Sequence, residues 1–144
     1  MKYTIKEALE YAKENKLEEW VQSFLRDDSY DNSNPNIILA DGLLLEERFY
    51  IGPLLFDLDK ITPKRIESDL EGNELKYYEE VVDKISSYYS DYNLPPLILE
   101  FKDNKFYLTD GNHRYSALKN LNLDKYYVII WGNKDKEKVV KECL

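Results

Sequence analysis

The stretch 105-KFYLTDGNHRYSALKNLNLDKYYVIIW-131 decides how the chain is read. Phe106 to Thr109 combine aromatic and β-branched residues, the composition of a short strand. Asp110-Gly111-Asn112 is a cluster of turn formers. A helix is expected directly after it, because Tyr115, Leu118 and Leu121 recur at three-residue steps with Ala117 on the same face. Beyond Asn122 and Asp124, the run Tyr126 to Trp131 is apolar throughout and is expected to form a strand buried on both faces. The unit is strand–turn–helix–strand, and its polar residues gather at the turn.

The chemistry of that turn is unusual. A helix N-terminus carries partial positive charge and unpaired N–H groups, so it favours acids. Asp110 or Asn112 is expected to cap it. His113 and Arg114 nevertheless follow in the first turn, and a cation there opposes the helix dipole by about 0.3–1 kcal/mol. Two resolutions stand side by side. An external anion can sit between the backbone amides and Arg114, with Gly111 allowing close approach. Alternatively, Arg114 pairs with Asp110 or another of the protein's own carboxylates.

Working outward, Leu97 to Phe101 follows Pro95-Pro96 and alternates as a strand, and Lys102-Asp103-Asn104-Lys105 turns it into Phe106–Thr109, so a hairpin is expected. A long helix is expected from Glu74 to about Asp91, with Tyr78, Val81, Val82, Ile85, Tyr88, Tyr89 and Tyr92 as its buried stripe. Lys84, Ser86 and Ser87 lie in its second half. Gly52-Pro53 punctuates the chain, and Leu54, Phe56 and Leu58 alternate as a strand that Ile61-Thr62-Pro63 ends. Lys64 to Asn73 is a charged connector.

At the N-terminal end, Thr4 and Glu7 form a capping-box pair ahead of Ile5, Ala8, Leu9 and Ala12. Asn15 with Glu18 offers a second helix start. Leu17, Trp20, Val21, Phe24 and Leu25 then make a strongly amphipathic helix with Trp20 in the core. Arg26 to Asn36 is polar and turn-rich, a loop. Ile37 to Leu45, interrupted by Asp41-Gly42, suits a short helix or a strand, with helix preferred because it leads into Glu46-Glu47-Arg48, which is read as solvated surface. A short charged helix is expected after Lys134.

Composition limits the function classes. The 144 residues suit one α+β domain with a real core, and 28 acidic against 20 basic residues give a formal charge of −8. That surface repels nucleic-acid backbone, and no basic run exceeds two residues. Direct DNA binding is therefore not favoured. Cys143 has no second cysteine to pair with, which fits a reducing compartment, and the first residues lack an apolar signal region; a cytoplasmic location is expected. No apolar run approaches the ~20 residues of a membrane span.

The order of elements, with Gly111-Asn112-His113-Arg114 opening a helix after a strand, resembles the ParB N-terminal-like and sulfiredoxin superfamily. ParB proteins carry Gly-Glu-Arg-Arg at this place and bind CTP; sulfiredoxins carry Gly-Cys-His-Arg and use ATP. Tyr115, Ala117 and the proline pair before Leu97 also resemble the sulfiredoxin pattern. The resemblance covers about Leu54 to Trp131, so residues 1–50 are expected to be a helical extension and 51–144 the superfamily domain. It implies a nucleotide ligand (ATP, ADP or CTP, with Mg2+) whose phosphates meet Gly111, Asn112, His113 and Arg114. It implies His113 and Asp110 as acid–base groups of a phosphotransferase or hydrolase, and Ser86 as a nucleotide-contacting hydroxyl. Asn112 stands where sulfiredoxins have their thiolate, so sulfinic acid repair is not expected. The alternatives are an acidic protein-interaction module that keeps the fold without turnover and, third, a DNA-binding or nuclease-type ParB-like protein.

Overall fold

The computed structural model describes residues 3–27, 35–63 and 69–144. Most of the loop expected over 26–36 and half of the connector expected over 64–73 lie outside those residues. The elements run α1 (Ile5–Lys13), α2 (Leu17–Arg26), α3 (Ile37–Leu43), β1 (Phe49–Asp57), β2 (Ile61–Pro63), α4 (Gly72–Tyr88), β3 (Leu97–Lys102), β4 (Lys105–Asp110), α5 (Asn112–Asn120), β5 (Lys125–Gly132) and α6 (Lys136–Cys143). This is an α+β fold, as expected. A single sheet has the order β1-β5-β3-β4-β2. The β5–β3 and β4–β2 pairs are parallel, and the β1–β5 and β3–β4 pairs are antiparallel.

The sheet is strongly curled. β1 and β2 are its two edges, yet only a 3-10 turn, Leu58–Lys60, separates them. Asp57 to Ile61 can span at most roughly 14 Å of extended chain. The edges of a flat five-stranded sheet stand about 19 Å apart. Curling brings Phe56 of β1 against Phe106 of β4, with ring centroids 4.8 Å apart.

Alternation along the central strands supplies two cores. Leu97, Leu99, Phe101, Tyr126, Val128 and Ile130 point into one, which α4, α5 and α6 cover with Val82, Ile85, Ala117, Leu118 and Val139. Ile98, Ile129 and Trp131 point into the other, beneath Trp20, Val21, Phe24, Ala40 and Leu43 of α2 and α3. Each fully buried apolar side chain contributes about 1.5–3 kcal/mol. Among the described residues, the N-terminal helices supply the cover for that sheet face.

Local expectations hold at several points. The Leu17–Leu25 stripe is buried throughout, with Trp20 only 1% exposed. The hairpin turn places Asp103 and Asn104 at positive φ, which suits a two-residue turn between twisted strands. Helices also form at Ile37–Leu43 and Lys136–Cys143.

Other expectations are corrected. Gly52-Pro53 does not interrupt the chain; β1 runs through it with a register shift between Ile51 and Leu54, because pairing with β5 continues on both sides. Ile61–Pro63 is not the end of that strand but a separate edge strand on β4, and Leu58 belongs to the turn. Asn15 adopts left-handed backbone as α1 closes, and Lys16, not Asn15, stands at the start of α2. α4 ends at Tyr88, and Tyr88 and Tyr92 are 37% and 43% exposed, not part of a buried stripe. Leu9 is exposed as well, and in α5 the buried face is Arg114, Ala117 and Leu118, with Leu121 outside. Arg48 is not solvated surface. It donates to Leu43 O, Gly42 O and Asn133 Oδ1, and lies 5.1 Å from the Trp131 ring.

Candidate functional site

A cleft of about 250 Å3 opens where α2, α4 and the start of α5 meet. It is slightly smaller than typical small-molecule sites, which run from about 300 Å3 upward. Asp110 to Arg114 form its floor, Tyr77, Val81 and Ile85 of α4 one wall, and Phe24, Asp27 and Asn36 the other. The turn singled out in the sequence is therefore the base of a concave site.

Gly111 is the N-cap of α5, with φ 109°, and no side chain caps the helix. A Cβ here would stand 2.8 Å from Leu97 Cδ2 and 2.9 Å from Arg114 Nη2. Glycine is required both by the left-handed backbone and by the closeness of the guanidinium. The expected cap by Asp110 or Asn112 is not made. Asp110 is still in register with Ile98 at the end of β4, and its carboxylate is drawn sideways. Its Oδ1 accepts from Asn36 Nδ2 at 3.0 Å, and its Oδ2 lies 3.5 Å from Arg114 Nη2.

Arg114 is the buried charge of the site, 6% exposed. It turns inward, donating from Nη2 to Pro96 O at 3.1 Å, and its guanidinium carbon lies 5.2 Å from the Phe24 ring. The contact with Asp110 is longer than the 2.7–2.9 Å typical of charge-assisted bonds. Arg114 Nε is buried without a hydrogen-bond partner, and so is Asn112 Oδ1. Leaving such atoms unpaired costs about 1–3 kcal/mol each. The guanidinium thus meets the protein's own carboxylate on one edge and keeps an N–H unspent on another.

The other expected residues fall less evenly. His113 lines the cleft, and its ring packs on Tyr78 with centroids 4.6 Å apart. Tyr78 Oη in turn donates to Asn112 O at 3.1 Å and shares a hydrogen bond with Ser116 Oγ, which fixes the first turn of α5 from beneath. Ser86 does not line the cleft; its Oγ donates to Val82 O within α4. The half-buried Cys143 is far along the chain in α6, and burial pushes its thiol pKa up, against any nucleophilic role. Among the described residues no group of three or more His, Cys, Asp or Glu side chains could hold a metal ion.

Sequence reading missed Phe24, Asp27, Asn36 and Tyr77 as cleft residues. Phe24 carried only a core signal, and Asn36 only a turn signal. Neither type announces a partner far along the chain.

No protein-family model and no curated protein matches the chain. Several solved structures do. Sulfiredoxin from Arabidopsis thaliana matches at a TM-score of 0.36 and 21% identity, over 62% of this chain and 96% of that one. A free serine kinase in complex with AMP matches at 0.37 and 18%, over 54% of this chain and 30% of the kinase. The C-terminally truncated chromosome-partitioning protein ParB from Caulobacter crescentus, complexed with CTP-γ-S, matches at 0.39 and 15%, over 63% and 49%. The likeness is one of fold alone. The chain spans less than half of the kinase and ParB chains, and at these TM-scores the likeness carries no argument about activity. Among the described residues no helix is long and apolar enough to cross a membrane.

Proposed function

We propose that the cleft binds the phosphate of a nucleotide at the Gly111–Arg114 corner. The observation that carries this reading is that Arg114, buried and with an unpaired Nε, lines the cleft together with the uncapped N-terminus of α5. First-turn amides of a helix lack intrahelical acceptors, and the dipole adds attraction for an anion. Gly111 permits the approach, the backbone of Asn112, His113 and Arg114 provides donors, and Arg114 supplies the charge. In this reading the His113 side chain would donate to the phosphate or move a proton, and Asp110 would act as base. Val81, Ile85 and half-exposed Tyr77 would take the less polar remainder of the ligand. Ser86 has no part in this arrangement.

The test is calorimetry with AMP, ADP, ATP and CTP, each with and without Mg2+. AMP and CTP-γ-S are the ligands in two of the similar structures and set the panel. Binding by wild type that falls at least about tenfold in Arg114→Lys, where the fork geometry is lost, is the expected result. Equal binding by the two proteins, or none by wild type at millimolar ligand, overturns the reading. Release of phosphate from ATP or CTP then separates turnover from binding.

A second reading, an acidic interaction module without turnover, is favoured by one feature. Ile38, Leu44 and Leu45 are 89%, 57% and 82% exposed beside Asp41, Glu46 and Glu47. A pull-down partner lost on Leu45→Asp and retained on Arg114→Lys would support it.

A further inference from the structure

We infer that Asn36 is a positioning residue that keeps the anion corner open, by holding the Asp110 carboxylate off the Arg114 guanidinium. The inference rests on the phosphate-binding reading above. Asn36 is placed firmly. Its own N–H donates to Leu25 O at 2.8 Å, and its Oδ1 accepts from Leu39 N as the cap of α3. The amide orientation is thereby fixed, and Nδ2 faces Asp110 Oδ1 at 3.0 Å and Thr109 O at 3.3 Å.

Asp110 and Arg114 are four residues apart, and a carboxylate free to turn would take the guanidinium in a short, two-pronged pair. That pair would consume Nε. Instead one carboxylate oxygen is engaged by Asn36, the other stands 3.5 Å from Nη2, and Nε stays without a partner. Phe24 and Pro96 O hold the guanidinium in place while it waits. The N-terminal helices therefore shape the site's charge as well as covering the sheet. Asn36 sets a competition between an internal carboxylate and an external phosphate for the same N–H.

The experiment has two readouts. In ligand-free protein, the Arg114 Nε–H signal is followed by nitrogen-edited NMR. Asn36→Ala frees Asp110, so the signal is expected to move downfield and exchange more slowly. Asn36→Asp keeps an acceptor for Leu39 N and repels Asp110, so it should move the signal the same way without uncapping α3. In calorimetry with AMP, Asn36→Ala and Asn36→Asp should each weaken binding by about tenfold, the loss of one charge-assisted bond. The double variant Asn36→Ala with Asp110→Asn should regain the affinity of Asp110→Asn alone, because no carboxylate remains to compete. An unmoved Nε–H signal in both Asn36 variants overturns the inference. So does a double variant as weak as Asn36→Ala, which would mark a merely structural role. Absence of AMP binding by wild type would sink the phosphate reading, while the NMR arm would still judge Asn36.

Discussion

The starts of α1 and α5 are opposite solutions to one problem. α1 is closed by its own side chains: Thr4 Oγ1 accepts from Glu7 N at 3.0 Å, and Glu7 Oε1 accepts from Tyr3 N and from Trp20 Nε1. α5 begins on a glycine with no side-chain cap, beside a buried guanidinium with an unpaired N–H. A helix end that only has to be stable recruits acceptors from neighbouring residues. A helix end left without them, at the floor of a cleft, is available to a ligand. Tyr50 supplies the control: its buried hydroxyl also lacks a partner but does not line the cleft.

The sharpest break in the contrast is Arg114→Ala. It strips the buried cation from Asp110 and Pro96 O, and unpairing such a contact costs about 3–5 kcal/mol in urea melts. Nucleotide binding should vanish with it. Gly111→Ala comes next. The left-handed backbone costs about 1–3 kcal/mol, and the new methyl displaces Arg114 Nη2, so affinity should fall together with the urea midpoint. Thr4→Ala removes the cap of α1 at about 1 kcal/mol. Its nucleotide affinity should match wild type; a parallel loss would erase the distinction between the two helix ends.

Tyr50→Phe has the smallest effect at neutral pH, within about 1 kcal/mol and toward greater stability, since it deletes an unpaired hydroxyl. Its signature is alkaline. Burial, then the Glu18 charge, push the Tyr50 pKa to about 12, with Arg48 opposing. An unfolded tyrosine ionises near ~10. The folded protein therefore keeps this proton longer than the unfolded chain does. The stability it carries is complete below about pH 10 and is lost as pH rises from there through about 12. Urea melts of Tyr50→Phe should be flatter than wild type across that window.

Much of the fold was legible because it is written locally. The Leu17–Leu25 stripe, the apolar run of β5 and the Asp103-Asn104 turn each lie within about ten residues, where period and turn chemistry act. The Gly111–Arg114 corner was legible for the same reason: glycine and a misplaced cation stand side by side. Reading failed where a nonlocal partner overrode a local signal. Pairing with β5 carried β1 through Gly52-Pro53, and pairing with β4 made a strand of Ile61–Pro63. Asp110 left the cap position because a donor waited elsewhere.

By itself the sequence determined the α2 stripe, the buried central strands and the glycine-led turn, since each follows from side-chain spacing and backbone preference within a short window. Only the tertiary structure decided which way Arg114 faces and what surrounds it. Asn36 reaches Asp110 across 74 residues of chain, and Phe24 lies 90 positions from the guanidinium it supports. Contacts at such separation arise because burying both sheet faces folds the N-terminal helices over the sheet, and no local pattern records which residues will then meet.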